Sequence, residues 1–398
     1  MLQKYFIFFY LFIITTNNFS SENSIFSYQE YQITSFPNIE INNKKEHYVI
    51  SSYQQYLYFD FPVKLSPFSK IAVYGTKQYN SSYINVPQNI VWYYSLFPIL
   101  NKFSVFRIDI TREIINLYPK SGALITALIL GNKSFLDDEF MEYIRFSGLA
   151  HLLALSGLHL IIFIMFFIWL FSLLGMSNRF LGVSTLPFSL FYLFLGGLGI
   201  SLQRAVLFHF LSSFFSYIRI PILNTKIFFI ALFVNMIISP NNIYSLSFWL
   251  SYISVAGIVF SYKFWYDVLS THIIPVINSY LAVSLAAFMS VSPILILVFG
   301  VLNIYSVFSS TIIVPFMPIL LIFCFSAVFL SYYGISFEML DQIIFLFYRF
   351  IYLIAKIFSE IPMGVIFFQN KMIGSVVFIL IMIIIVTILN KKRICDVG

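Results

Sequence analysis

The sequence predicts a polytopic α-helical membrane protein that carries a small N-terminal extracytoplasmic β-domain. Hydrophobic residues make up 60% of the 398 residues and charged residues only 10%, far from the balance of a soluble globular chain. Several stretches contain about 17 to 25 mostly apolar residues, enough to cross a bilayer as a helix. Before them, residues 17–112 alternate between polar and apolar positions, as half-buried strands do.

The first segment, residues 1–16, reads MLQKYFIFFYLFIITT. One lysine precedes an apolar run of about ten residues, which is the size of a signal-peptide core and short for a span. No A-x-A-like cleavage site follows. An uncleaved signal anchor and a removed signal peptide therefore both stay open, and both place the next residues outside the cytoplasm.

Residues 17–112 contain short alternating runs such as HYVISSYQQYLYFDFPV and KIAVYGTKQY, separated by Pro62, Pro67, Gly75 and Pro87. Aromatic and β-branched residues at every second position, bounded by turn formers, are typical of short strands. We expect a small β-domain, with a compact barrel as one form that it can take.

From about residue 113 to 390 the pattern is helical, with about seven to nine spanning helices. Segment 336–358 carries Glu338, Asp341, Arg349 and Lys356, so it either spans or lies along the membrane surface. The tail 391–398 begins KKR, which places it in the cytoplasm by the positive-inside rule. The clear spans are 158–175, 180–200, 225–239, 243–262, 277–300, 304–331 and 371–389, and the ambiguous ones are 121–131, 202–218 and 336–358.

Composition and motifs exclude several kinds of site. The net charge of +7 has two explanations. It can reflect an anionic partner, but the lysines and arginines that orient the loops of a membrane protein produce the same excess. The two cysteines indicate no disulfide framework and no zinc site. No Walker A loop, HExxH helix or dinucleotide fingerprint is present. We therefore expect no metal, no cofactor, no catalytic residue and no ATPase of the chain's own.

Polar residues interrupt the apolar pattern in SGLAHLLALSGLHL, residues 147–160. On a continuous helix His151, His159 and Ser156 would lie at about 0°, 80° and 140°, within one arc. Such groups are costly against lipid, so they would face protein, water or a substrate. The Ser156–Gly157 pair permits a kink or a break. The alternative is that the small residues allow close packing and the histidines sit at the membrane surface.

Two more polar clusters follow, in GGLGISLQRAVLFHF and NNIYSLSFWLSYISVAG. Arg204 in the first either snorkels to the headgroups or faces a pore, where a guanidinium attracts phosphate. Ser247, Trp249 and Ser251 in the second either line that pore or serve helix contact. Pro293, Pro315 and Pro318 lie within apolar segments and predict kinks or breaks.

These motifs resemble those of the ComEC competence family. The stretch ALILGNKSFLDDEFMEYIRFSGLAHLLALSGLHL is similar to the family signature. The glycine-rich turn with QRA, then SLSFWLSYISVAGI, and then the proline segments agree with the family in order. The resemblance covers residues 120–320 or so. It implies a channel that passes single-stranded DNA across the bacterial cytoplasmic (inner) membrane during natural transformation.

The family resemblance also implies an external OB-like domain, which fits the β-rich reading of 17–112. OB folds bind single strands through basic grooves and stacked aromatic rings. The residues expected to do so are Tyr53, Tyr56, Lys64, Lys70 and Lys77, although ordinary barrel core and surface remains the alternative for all of them. Larger family members end in a metallo-β-lactamase-like domain with an HxHxDH cluster. This sequence contains no such cluster, so we expect no nuclease activity from it.

The working hypothesis is a DNA channel whose path is lined by His151, Ser156, Gly157, His159, Arg204, Ser247, Trp249 and Ser251. Its expected partners are single-stranded DNA, a cytoplasmic helicase-type ATPase, and a DNA-uptake pilus or DNA receptor proteins. A homodimer stays open.

The first alternative is an intramembrane enzyme that acts on lipid or lipid-linked substrates through Ser156 or His159. Against it, Asp137, Asp138 and Glu139 are expected to be a solvated helix cap, which leaves no acidic group to orient a catalyst. The second alternative is a small-solute transporter.

Overall fold

The computed structural model describes residues 98–397, except 271–273 and 362–363, and seven strands that precede them. Side chains are described from Lys102 onward, except for those of residues 178, 241, 385 and 388–397. The strands are β1 (Ser27–Gln32), β2 (Asn38–Asn42), β3 (Lys45–Ser51), β4 (Tyr56–Phe59), β5 (Ser69–Gly75), β6 (Tyr83–Val86) and β7 (Val91–Ser95). The predicted signal segment 1–16 lies outside the described residues.

The seven strands pair into two sheets. One has the order β1-β5-β7 and the other β2-β3-β4-β6. All of these pairs are antiparallel except β4 with β6, in which Tyr56 is opposite Tyr83. The backbone of these segments is therefore extended, as the alternation predicts.

The rest of the described chain is helical. The helices are α1 (Pro98–Leu117), α2 (Gly122–Ile125), α3 (Asp138–Phe146), α4 (Gly157–Leu173), α5 (Asn178–Ser184), α6 (Leu186–Leu195), α7 (Ile200–Tyr217), α8 (Asn224–Ile238), α9 (Leu246–Leu269), α10 (Pro275–Phe299), α11 (Ser306–Ile313), α12 (Met317–Tyr332), α13 (Glu338–Glu360) and α14 (Lys371–Val397). A π-helical turn, Thr126–Leu130, follows α2, and two short strands, β8 (Val301–Asn303) and β9 (Val365–Phe367), pair with each other.

Helical structure begins earlier than expected. Strand was predicted to give way to helix near residue 113, but α1 already begins at Pro98. Phe103, Phe106, Ile110 and Ile114 recur every three or four residues, which is the period of one helix face. Ile110 and Ile114 are buried in the main core, so packing of this face explains why the segment is helical.

Three stretches of the described residues are long and apolar enough to cross a membrane: Pro275–Phe299, Ser306–Tyr332 and Glu338–Glu360. Gly157–Leu173, Arg179–Leu195, Asn224–Ile238 and Lys371–Ile384 are shorter apolar helices. The protein is thus a helical membrane protein. The ambiguous segment 336–358 has the length and composition of a span, because α13 has 23 residues.

The prolines act differently from one another. Of the kink or break predicted at Pro293, a break is absent, since α10 runs through this residue without interruption. Pro315 lies in a short 3-10 turn, Val314–Phe316, that separates α11 from α12, and Pro318 is in the first turn of α12. Pro318 suits that position, because the first-turn N–H groups of a helix have no partner within the helix.

One large core joins both ends of the described helical region. Residues of α1, the π-helical turn, α4, α6, α12 and α13 share it, with Tyr118, Phe140 and Tyr192 among the largest buried side chains. Asp341, near the start of α13, accepts hydrogen bonds from the backbone N–H and the hydroxyl of Ser121 at 3.0 and 2.6 Å. This buried carboxylate fixes α13 against the turn before α2.

Candidate functional site

The polar stretch 147–160 is not one continuous helix, and a break lies at the Ser156–Gly157 pair, where the sequence permits a kink or a break. Gly148 has φ +77°, and Leu149–His151 form one 3-10 turn. A Cβ at position 148 would lie 2.3 Å from the Cβ of Ser306. Close approach and left-handed backbone therefore both require glycine here, and α4 begins only at Gly157.

His159 is buried at the start of α4, with 1% of its surface exposed. Its Nδ1 accepts the backbone N–H of Ser156 at 3.3 Å and lies 3.0 Å from the Ser156 hydroxyl. The two residues form a capping box, in which a side chain satisfies an N–H group that the helix leaves open. With Nδ1 as acceptor, Nε2 carries the proton, and it has no partner among the described residues.

His151 lies apart from this cap. Its side chain is exposed on the 3-10 turn, and one ring nitrogen is 3.1 Å from the Gly148 carbonyl oxygen. The break in the helix therefore gives the two histidines different surroundings: His151 is open to its environment, whereas His159 supports the backbone. Ser156 and Gly157 are half-buried between them.

The glycine-rich turn 196–199 joins α6 to α7. Gly197 and Leu198 both have positive φ, +80° and +62°, which is unusual for leucine. The Gln203 amide donates to the Leu198 carbonyl oxygen at 2.6 Å. A Cβ at Gly196 would lie 2.8 Å from the Leu155 side chain, so this turn packs closely against the segment before α4.

Arg204 does not snorkel. It is 8% exposed, its Nη1 donates to the Ser251 carbonyl oxygen, and its guanidinium carbon lies 5.7 Å from the centre of the Tyr252 ring. The hydroxyls of Ser201 and Ser251 are 3.0 Å apart. The structure therefore brings Arg204 and Ser251 together, as a link between α7 and α9.

Ser247 and Trp249 are both exposed residues in the first turn of α9. The Trp249 indole donates to the Ile243 carbonyl oxygen at 2.8 Å, and much of its ring stays exposed. Ser247 is exposed as well. Ser247, four residues before Ser251, lies on nearly the same face of α9 as that residue, whereas Trp249 lies on the opposite face.

The N-terminal parts of three helices, α4, α7 and α9, contact one another. A Cβ at Gly157, the first residue of α4, would lie 3.6 Å from the Cβ of Ala205 in α7, and Ser201 of α7 meets Ser251 of α9. The start of α4 therefore lies beside the sixth residue of α7, and the sixth residue of α9 lies beside the second residue of α7, so the first two turns of these helices are neighbours. Helix N-termini carry partial positive charge, so together with Arg204 they make this region attractive to anions.

Sequence reasoning missed Arg107, in α1. The Arg107 side chain is only 4% exposed. Its Nη1 donates to the Leu195 carbonyl oxygen, and its Nη2 donates to the Leu130 carbonyl oxygen at 3.1 Å. A Cβ at Gly197 would lie 3.2 Å from Nη2. Arg107 thus braces the glycine-rich turn. Recognising α1 as a helix would have placed Arg107 on the same face as Ile110 and Ile114.

The acidic residues before and within α3 are not simply a solvated cap. The Tyr348 hydroxyl donates to Asp137 at 3.1 Å, and Glu139 accepts from Tyr143 at 2.9 Å and from Tyr352 at 3.0 Å. These bonds hold the pKa of Glu139 below its ordinary value, and the bond to Glu139 raises the pKa of Tyr143 to about 12. The carboxylates therefore attach α3 to α13.

No three His, Cys, Asp or Glu side chains gather as metal ligands do in the part of the chain that the structure describes. Of the residues expected to contact DNA in the β-domain, Tyr53, Lys64 and Lys77 lie outside the described residues. Tyr56 belongs to β4 and Lys70 to β5, and only their backbone is described.

A cavity of about 440 Å³ lies between α4, α7, α8 and α9. Its walls are mostly apolar, with Ile161, Ile164 and Met165 on one side and Phe208 on another. Arg204 and His209 are the basic residues that line it. The cavity begins beside the gathered helix N-termini, since Gly157 and Arg204 both border it.

The sequence profile of the family described as Competence protein matches residues 128–393. The chain belongs to this family. The match begins in the π-helical turn and ends in α14, so it includes the capping box, the glycine-rich turn and the Arg204 link. The resemblance inferred from the motifs is thereby confirmed.

A curated relative agrees with this family. ComE operon protein 3 of Bacillus subtilis (strain 168) is 26% identical over 243 residues, which are 58% of this chain and 30% of the relative. The chain thus spans about a third of the length of the curated relative it matches. No solved structure matches the chain.

Proposed function

We propose that the protein is a channel for single-stranded DNA in the cytoplasmic membrane, used for DNA uptake during natural transformation. The observation that carries the proposal is the family match over residues 128–393, on a helical membrane body in which three helix N-termini gather beside exposed polar residues. The name of the Bacillus subtilis relative, ComE operon protein 3, is consistent with a function in competence.

In this proposal the path for DNA passes the gathered helix N-termini. His151, Ser156, Ser247 and Trp249 form its wall, because they are exposed or half-buried and polar or aromatic. Each phosphate carries a full charge whose burial is prohibitive without partners, and helix N-termini offset that charge. Gly157, His159, Arg204 and Ser251 act behind the wall, where they hold the starts of α4, α7 and α9 in place.

The proposed organisation follows the same logic. Residues 1–16 are a signal segment, the β-rich region after them is extracytoplasmic and OB-like, the helical region forms the channel, and residues 391–398 lie in the cytoplasm. Tyr53, Tyr56, Lys64, Lys70 and Lys77 receive the strand by stacking and charge. Movement of the strand is driven by a cytoplasmic helicase-type ATPase or by the membrane potential, and delivery needs a DNA-uptake pilus or receptor. A homodimeric channel is compatible with this scheme.

The proposal is tested by complementation of a gene deletion. DNA captured at the cell surface and DNA imported into the cytoplasm are scored separately for wild type, His151→Leu, Ser247→Leu and the control Ser326→Leu. Ser326 is an exposed serine of α12, so its variant makes the same chemical change far along the chain from the proposed path. Membrane levels of all variants are compared by immunoblot.

We expect capture to persist and import to be lost in the deletion strain. His151→Leu and Ser247→Leu lower import by about tenfold or more, because an apolar wall no longer solvates the passing backbone, whereas Ser326→Leu imports normally. Normal import in the deletion strain would overturn the channel proposal.

One distance favours an intramembrane enzyme as the second candidate, namely the 3.0 Å between the Ser156 hydroxyl and His159 Nδ1. Against it, Nδ1 also accepts a backbone N–H, and no carboxylate among the described residues hydrogen-bonds either side chain. Ser156→Asn separates the two candidates. Asparagine caps helices as well as serine does but is no nucleophile, so the channel keeps its import and an enzyme loses its activity.

A further inference from the structure

We propose that an anionic phospholipid binds in the cavity between α4 and α7, with its phosphate on Arg204 and one acyl chain along α4. This site goes beyond the channel, because it concerns the lipid-facing side of the molecule and needs no DNA.

The first reason is an unbalanced charge. A guanidinium carries five N–H donors, and within the described residues that of Arg204 donates to one acceptor, the Ser251 carbonyl oxygen. The described residues that line the cavity include no Asp and no Glu. A cation in a membrane-embedded cavity is stable only with an anionic or strongly polar partner, and arginine binds phosphate oxygens in pairs.

The second reason is the shape and chemistry of the cavity. On α4 its wall runs from Gly157 to Ile168, a rise of about 16 Å at roughly 1.5 Å per residue. This is about half of the roughly 30 Å hydrocarbon core, the length that one leaflet offers to an acyl chain. Ile161 and Met165 are 56% and 60% exposed, so the cavity is open along this side of α4.

A lipid fits this cavity better than a nucleic acid does. A single strand carries one charge for every nucleotide, whereas the cavity has one arginine and one histidine, and Nε2 of His209 is 3.0 Å from the Thr185 hydroxyl. Beyond Arg204 the walls are mostly apolar. A phospholipid has one phosphate followed by a hydrocarbon chain, which matches a cavity with one arginine followed by apolar walls.

The experiment is native mass spectrometry of the full-length purified protein, loaded with phosphatidylglycerol or phosphatidylcholine of the same acyl chains. The variants are Arg204→Gln, Arg204→Lys and Ile161→Trp, which places a ring at the open side of the cavity. Arg179→Gln is the control, because Arg179 is an exposed arginine that also donates to a carbonyl oxygen, that of Tyr217. Circular dichroism and size-exclusion chromatography verify that each variant is folded.

We expect wild type and Arg179→Gln to retain one phosphatidylglycerol about tenfold more tightly than phosphatidylcholine. Arg204→Gln loses this preference, Arg204→Lys keeps part of it, and Ile161→Trp weakens retention of both lipids. If Arg204→Gln does not fold, the lipid site is tested by Ile161→Trp and by competition between phosphatidylglycerol and inorganic phosphate for the wild-type protein.

Three results would overturn the proposal: equal retention of both lipids by wild type, displacement of phosphatidylglycerol by inorganic phosphate alone, or a dimer mass in place of lipid adducts. None of them bears on import, so the failure of this site and the failure of the channel are distinguishable.

Discussion

At the scale of single residues, two buried arginines donate hydrogen bonds to backbone carbonyl oxygens. Arg107 binds the carbonyls of Leu130 and Leu195, the last residues of the π-helical turn and of α6, and Arg204 binds that of Ser251. The C-terminal carbonyls of a helix lack partners within it and carry partial negative charge. Arg107 therefore satisfies two helix ends at once, a function that a shorter or neutral side chain does not perform.

Replacement of Arg107 tests this bracing. Arg107→Leu leaves both carbonyl groups without this donor in the core, and a buried hydrogen bond to a charged group contributes about 1.5 to 3 kcal/mol. We expect a clear drop in the thermal unfolding midpoint of the detergent-solubilised protein. Lys102→Leu, a change at an exposed cation on the same helix, serves as the control and leaves the midpoint nearly unchanged. Equal midpoints for Arg107→Leu and wild type would refute the bracing role.

The Ser156 cap gives a second prediction at this scale. Ser156→Ala removes the hydroxyl at the N-terminus of α4 and is expected to destabilise the protein by about 1 kcal/mol, whereas Ser156→Asn keeps most of the stability. Chemical unfolding followed by circular dichroism measures both. If alanine and asparagine destabilise the protein equally, the serine does not act as a cap.

At the scale of elements, the turn between α6 and α7 holds residues in left-handed backbone. We expect Gly197→Ala to destabilise the protein by at least about 1 kcal/mol, because alanine is disfavoured at φ +80° and its Cβ would lie 3.2 Å from the Arg107 guanidinium. Leu198→Gly, one residue further, removes the strain at φ +62° and is expected to be neutral or slightly stabilising. Thermal unfolding of Gly197→Ala and Leu198→Gly measures both effects. Destabilisation of the same size in the two variants would contradict the argument from backbone conformation.

The attachment of α3 to α13 depends on pH. Because the folded-state pKa of Glu139 is lowered, its contribution is present at neutral pH and is lost as the pH falls through that pKa. We expect Glu139→Gln to unfold at a lower temperature than wild type at pH 7. The difference should shrink as the pH falls below the ordinary glutamate pKa of about 4.3 and vanish below the lowered pKa of the folded state. A difference that grows in acid would contradict this sign. Glu142→Gln on the same helix is the control.

Much of the helical layout is predictable from the sequence, and much of the site is not. Long apolar runs set the bounds of α4, α8, α10 and α13 to within a few residues, because hydrophobic length alone decides a span. The site depends on backbone that periodicity does not describe. The chain leaves helical structure between the 3-10 turn that contains His151 and the start of α4 at Gly157, and the meeting of α4, α7 and α9 depends on contacts between distant segments.

At the scale of the whole molecule, the described core couples the N-terminal and C-terminal parts of the helical region. Arg107 connects α1 to the glycine-rich turn, and Asp341 connects α13 to the turn after α1. The helix that follows the β-rich strands is therefore held at the same turn that precedes Arg204. α1 is therefore the element that connects the β-rich region, which is proposed to receive DNA, to the proposed path.

The proposed uptake of DNA depends on the orientation of the protein in the membrane. The two cysteines allow this orientation to be measured. Cys324 is buried, and Cys395 lies in the tail that the positive-inside rule places in the cytoplasm. In a Cys324→Ala background, we expect a membrane-impermeant maleimide to label Cys395 only after the cells are permeabilised. Tyr53→Cys, with both native cysteines replaced, should be labelled on intact cells if the β-rich region faces outward as proposed. Labelling of Cys395 on intact cells would reverse the orientation, and the β-rich region then could not receive DNA from outside.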